Sequence, residues 1–168
     1  MAGSWSPHDF PDLQASHYAV TSPLDLGYNC IAWSAGDTAK WWWPDDPALG
    51  YGYWPPSIPR EPTIEAFVQA YLHLGYRVCN GPKRVRGFEK IALYVDAAKV
   101  PTHAARQLPG GSWTSKIGQC EDIEHNMLSC LTGPSYGRPA AYFCRAIAIQ
   151  PYRVSRWRRL VHQVLHRL

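Results

Sequence analysis

The sequence predicts an α+β fold in which N-terminal helices pack on an antiparallel sheet. Three observations carry this. Two helical segments come before residue 76, short β-branched and aromatic runs follow one another from there, and Gly110-Gly111 joins two of those runs as a hairpin would. A chain of this length builds one core. With 46% apolar and 18% charged residues it has the composition of a folded protein.

Residues 1–22, interrupted by Pro7 and Pro11, read as an irregular arm. The main domain is expected over 23–150. Within it, YNCIAWSAGDTAK predicts a buried helix from about Asn29 to Lys40, with Asn29 as N-cap. Residues 44–62 are dense in proline and form an aromatic loop. Thr63 caps a second helix whose Ile64, Phe67, Val68, Tyr71 and Leu72 share one face, and Gly75 stops it. YRVC, KIALYVD, PTHAARQL, GSWTSKIG and RPAAYFCRAIAI read as strands, with a short helix expected between the last two, at about Glu121 to Cys130. Residues 151–168 predict a basic amphipathic helix carrying five arginines and no acid, so the net charge of +4 sits largely in this tail. Such a face suits an acidic surface, whether membrane, RNA or protein.

The five cysteines (Cys30, Cys79, Cys120, Cys130, Cys144) include no Cys-x-x-Cys pair and read as free thiols of a reducing compartment. No leader and no 18-residue apolar run is seen, so a cytoplasmic protein is expected. Neither metal nor cofactor is expected: the only ligand-like spacing, His162 to His166, lies among arginines.

Cys30 stands out because it opens a predicted helix, where unpaired N–H groups lower a thiol's pKa and can hold an oxyanion. A nucleophilic thiol needs a histidine, and of seven only His103 falls on a predicted central strand. The hairpin returns Ser115 beside it as an orienting group, while Tyr28 and Asn29 are candidate oxyanion donors. Trp41, Trp42 and Trp43, with Trp54 and Trp113, are candidates for an aromatic wall of the substrate cleft. The competing readings are packing: a satisfied core histidine, and tryptophans that anchor the long loop.

A cysteine at a helix start, a histidine on a strand and a polar residue twelve positions later resemble the papain-like cysteine hydrolases, in particular the small NlpC-type peptidases and amidases. The strings YNCIAWSAGD, WWWP, YWPP, THAARQL and WTSKIG are also similar to an uncharacterised group of small bacterial proteins. The first resemblance implies a papain-like fold and a cysteine-dependent hydrolase or acyltransferase with a peptide or other amide, isopeptide or thioester substrate. In that reading Cys30, His103 and Ser115 are the catalytic residues. The alternative is a non-catalytic interaction domain on the same fold, or an accessory protein working through its basic tail.

Overall fold

The computed structural model describes residues 9–50 and 52–147. The basic helix expected over 151–168 lies outside them. Three α-helices, α1 (Pro11–Ala15), α2 (Cys30–Ala35) and α3 (Ile64–His73), accompany seven strands: β1 (Tyr18–Val20), β2 (Arg77–Val78), β3 (Phe88–Val95), β4 (Pro101–Gln107), β5 (Trp113–Lys116), β6 (Asp122–His125) and β7 (Arg138–Ala146). The strands form one antiparallel sheet in the order β1-β6-β5-β4-β3-β7-β2. No described helix is long and apolar enough to cross a membrane.

Alternation along the strands divides the core in two. Ile91, Leu93, Ala104 and Phe143 join α2, α3, Trp42 and Trp54 on one face, and Ala92, Tyr94, Ala105, Trp113 and Ile123 join Phe10, Leu13 and Leu131 on the other. Ile91, Leu93 and Ile123 are fully buried, each worth roughly 1.5–3 kcal/mol of apolar transfer. α3 forms as expected: the Thr63 hydroxyl accepts from the Ala66 N–H, and Ala66, Phe67, Ala70 and Tyr71 are buried.

Three expectations are corrected. The helix after Asn29 stops at Ala35 instead of reaching Lys40, because Gly36 takes the left-handed conformation at φ 83° and its N–H closes the last turn. Trp41–Trp43 are therefore not helical. Their extended backbone pairs with Tyr53, so Trp42 is buried in the core while Trp41 and Trp43 line a cavity beside it, Trp43 also meeting Phe67 edge-on. The segment around 121–130 is not a helix: Asp122–His125 is a strand, with Ile123 and His125 on its buried face, followed by a 3-10 turn at Leu128–Leu131. The arm is not irregular throughout, since α1 buries Leu13 and β1 extends the sheet by pairing Tyr18 with His125.

Gly137, just before β7, has φ 67°, and a Cβ built on it would overlap the Val95 carbonyl. Gly137→Ala is expected to lower stability by about 2–4 kcal/mol. Gly110→Ala, where a Cβ meets nothing within 4 Å, is expected to change it by less than about 0.5 kcal/mol. Urea unfolding followed by tryptophan fluorescence compares the two.

Candidate functional site

The site lies where the sheet opens. β4 and β5 pair from Gln107↔Trp113 to Ala105↔Ser115 and no further, because the Ile117 N–H turns to the Glu121 carbonyl. On the other side of β4, the register with β3 shifts, so that Tyr94 faces His103 and Val95 faces Pro101, leaving Thr102 as an extra residue. Thr102 is held there by donating from Oγ1 to the Tyr136 carbonyl at 2.6 Å.

Cys30 enters this opening from α2, which packs against β4. It lines a cavity of about 260 Å³ together with Asn29, Trp41, Trp43, Thr102, Gly118 and Tyr136. The N-cap that sets α2 is the expected one: Asn29 Oδ1 accepts from the Ala32 N–H at 3.0 Å and its Nδ2 donates to the Trp42 carbonyl at 2.7 Å. Tyr28 donates its hydroxyl to Asp122 Oδ2 at 2.7 Å. The Tyr28 hydroxyl is thus committed to Asp122, while Asn29, which holds α2 in place, spends one of its two amide N–H donors on Trp42.

The thiol differs from the expectation of a lowered pKa. Burial pushes Cys30 up to about 11, outweighing hydrogen bonds from the backbone of Ala104, of Ile31 and of Cys30 itself, which act in the lowering direction. Cys30 at rest is a neutral thiol.

His103 is fully buried, one residue before the Ala104 whose backbone meets the sulfur. Its ring stacks on Tyr136 with centroids 4.0 Å apart and meets Tyr94 edge-on. His103 and Ser115 are brought together as expected, with Nε2 3.1 Å from Oγ. Among the described residues no hydrogen bond joins Cys30 to His103, and the buried imidazole Nδ1 has no hydrogen-bond partner. Tyr136 is the wall they share, lining the Cys30 cavity on one side and stacked on His103 on the other. Burial holds the imidazole well below its usual pKa, with His125 adding to the effect, so His103 is neutral.

Two of the five tryptophans, Trp41 and Trp43, reach the cavity. Trp42 and Trp54 are core residues whose indoles donate to Asp37 and to the Pro59 carbonyl, and Trp113 belongs to the opposite face of the sheet. Packing is the reading that fits these three. Residues not singled out from the sequence include Thr102, Tyr136 and His125. For His125 a signal existed, the two-residue repeat of Ile123 and His125 between acids; for Tyr136, in the loop before β7, none did.

If burial sets the thiol's acidity, modification of Cys30 by iodoacetamide is expected to rise about tenfold per pH unit between about pH 7 and pH 10. Quenched alkylation with peptide mass spectrometry measures this, and a plateau below about pH 8 would contradict the assignment.

No curated protein and no solved structure matches the chain. One family model does, described as a domain of unknown function, DUF7689, and it matches residues 19–144. That span runs from β1 into β7 and contains Cys30, His103, Ser115, His125 and Tyr136, and by a match over most of its length the chain belongs to the DUF7689 family.

Proposed function

We propose that the domain is a cysteine-dependent hydrolase or acyltransferase acting on an amide, isopeptide or thioester bond, with Cys30 as nucleophile and His103 as base. The observation that carries this reading is the bare Nδ1 of His103, a buried nitrogen without a partner in the residue next to the backbone that meets the Cys30 sulfur. A buried polar atom left unpaired costs roughly 1–3 kcal/mol, so it is retained at a site of use more readily than in ordinary packing.

Because thiol and imidazole are both neutral at rest, no thiolate–imidazolium pair is formed in advance. The Cys30 proton passes to Nδ1 as sulfur attacks the carbonyl carbon. Collapse of the tetrahedral adduct expels the amine or thiol, which leaves with the proton from Nδ1, and an acyl-cysteine remains. Water, or an amine acceptor, then attacks the acyl group, returns a proton through Nδ1 to sulfur and frees the thiol. Trp41, Trp43 and Tyr136 supply flat apolar walls for the group beside the scissile bond.

The second reading, a binding domain with no chemistry, is favoured by the complete burial of His103 and the raised pKa of Cys30. A generic acyl donor separates the two. With p-nitrophenyl acetate, a burst of one p-nitrophenolate per chain and acetylation mapped to Cys30 are expected, and Cys30→Ser is expected to slow turnover by at least about 10³-fold while remaining folded. An undiminished burst in Cys30→Ala, or acetylation at another cysteine alone, would remove the enzyme reading.

The pH dependence follows from the lowered His103 pKa. The working base is neutral imidazole, so lowering its pKa below the usual value near 6.5 extends activity toward acid. The acidic limb of kcat/KM is expected below about pH 6.5. A limb at or above that value would show that His103 is not the titrating base.

A further inference from the structure

Three buried side chains, Ser115, His125 and Cys130, lie behind His103 on the sheet face away from α2, and their hydrogen bonds can be read in only one direction. His125 Nδ1 is 2.9 Å from the Met127 carbonyl oxygen. A carbonyl only accepts, so Nδ1 carries the proton. The Cys130 thiol, 2.8 Å from the same oxygen, donates to its second lone pair, which leaves its 3.4 Å contact with His125 Nδ1 as one in which sulfur accepts. In neutral imidazole a protonated Nδ1 leaves Nε2 as a lone pair, and that Nε2 is 2.9 Å from Ser115 Oγ. The single hydroxyl proton of Ser115 therefore goes to His125. Ser115 Oγ can then only accept from His103 Nε2, 3.1 Å away, so this nitrogen is protonated and Nδ1 is left bare.

We infer that His125, acting through the Ser115 hydroxyl, is a positioning residue that holds His103 in the tautomer with Nε2 protonated and Nδ1 free to accept a proton. The residues involved admit little rearrangement. His103 and Ser115 are fully buried and His125 is 1% exposed, so reversing the chain would set two acceptors, or two donors, face to face without water to mediate. His125 is fixed at its far end by a backbone carbonyl two residues on, an anchor that does not ionise. The assignment matters to catalysis only if the reading of His103 as base holds, since the opposite tautomer would present an N–H where a base is required.

The test reads protonation directly. Long-range ¹H–¹⁵N correlation spectra of the full chain at neutral pH are expected to show His103 protonated at Nε2 and His125 protonated at Nδ1. His103 protonated at Nδ1, or His125 at Nε2, overturns the inference, even if Cys30 is acetylated. The variants give a second measurement. His125→Phe removes the acceptor for the Ser115 hydroxyl, so a His103 population protonated at Nδ1 is expected, with acetylation of Cys30 slowed about tenfold in its maximal rate and little change in KM. His125→Gln offers an amide oxygen to Ser115 and is expected to restore both signals. Equal rates and spectra in wild type and His125→Phe also overturn the inference. The assigned spectrum without any acetylation of Cys30 removes the proposed chemistry and leaves the tautomer relay standing.

Discussion

The site depends on the point at which two neighbouring strands stop pairing. β4 is held by β3 along its length and by β5 only as far as Ala105↔Ser115. Beyond it, β5 bends into a turn toward β6, with the Cys120 N–H on the Ile117 carbonyl and Gly118 at φ 54°. A paired strand spends its N–H groups on its neighbour. At this opening lies the Cys30 thiol, on which the Ala104 backbone acts in the direction that lowers its pKa. Cys30 belongs to the core of the helical face and His103 stacks with Tyr136 and Tyr94 on the other, and Tyr136, which also lines the Cys30 cavity, is the residue common to both. Strand alternation alone would keep those faces apart.

How much of this could be read from the sequence follows from the range of each interaction. The Asn29 and Thr63 caps are set by residues three apart and were legible, as were the PTHAARQ and WTSK strands and the hairpin between them. The hairpin explains why the twelve-residue separation of His103 and Ser115 becomes a hydrogen bond: Ala105 pairs with Ser115, and His103 lies two residues along the same face. Gly36 was visible as a breaker, yet its left-handed φ is a tertiary outcome, and on it rests whether the three tryptophans continue a helix or alternate along extended chain. Acids crowding the start of the segment around His125 favour a helix, while the pattern that prevails is the alternation of Asp122 and Glu124 with Ile123 and His125. Tyr136 reaches His103 from a loop more than thirty residues away, and no local pattern encodes that.

Charged side chains buried in the sheet are kept away from His103. Ser115 and Lys116 are neighbours in sequence, and in a strand they point to opposite sides. The ammonium of Lys116 therefore lies away from His103: it donates to the Cys120 carbonyl and sits 4.4 Å above the Tyr28 ring. Tyr28 in turn holds Asp122, the cross-strand partner of Lys116. The ionisable pair and its phenol form one polar system at the base of α2, while the histidines and serine form another, uncharged one behind β4. A one-residue slip of β5 would place the ammonium against His103 and expose the serine to α2.

This separation bears on what a neutral thiol and a neutral imidazole can do. Stabilising a resting ion pair in a site this buried would require charged or strongly dipolar neighbours, and neither ring contact of His103 supplies one: Tyr94 and Tyr136 are themselves pushed toward their neutral forms by burial. The hydrogen-bond chain behind His103 does something different. It orders a proton without adding charge, since each link from the Met127 carbonyl to His103 is a neutral donor meeting a neutral acceptor. The surroundings therefore decide which nitrogen of His103 is bare, and by burial they lower its basicity. In the proposed chemistry the demand for charge stabilisation arises when an acyl group enters the cavity and develops an oxyanion. That places the demand for donors on the backbone around Cys30 and Gly118 and on the second amide N–H of Asn29, because the Tyr28 hydroxyl is already occupied.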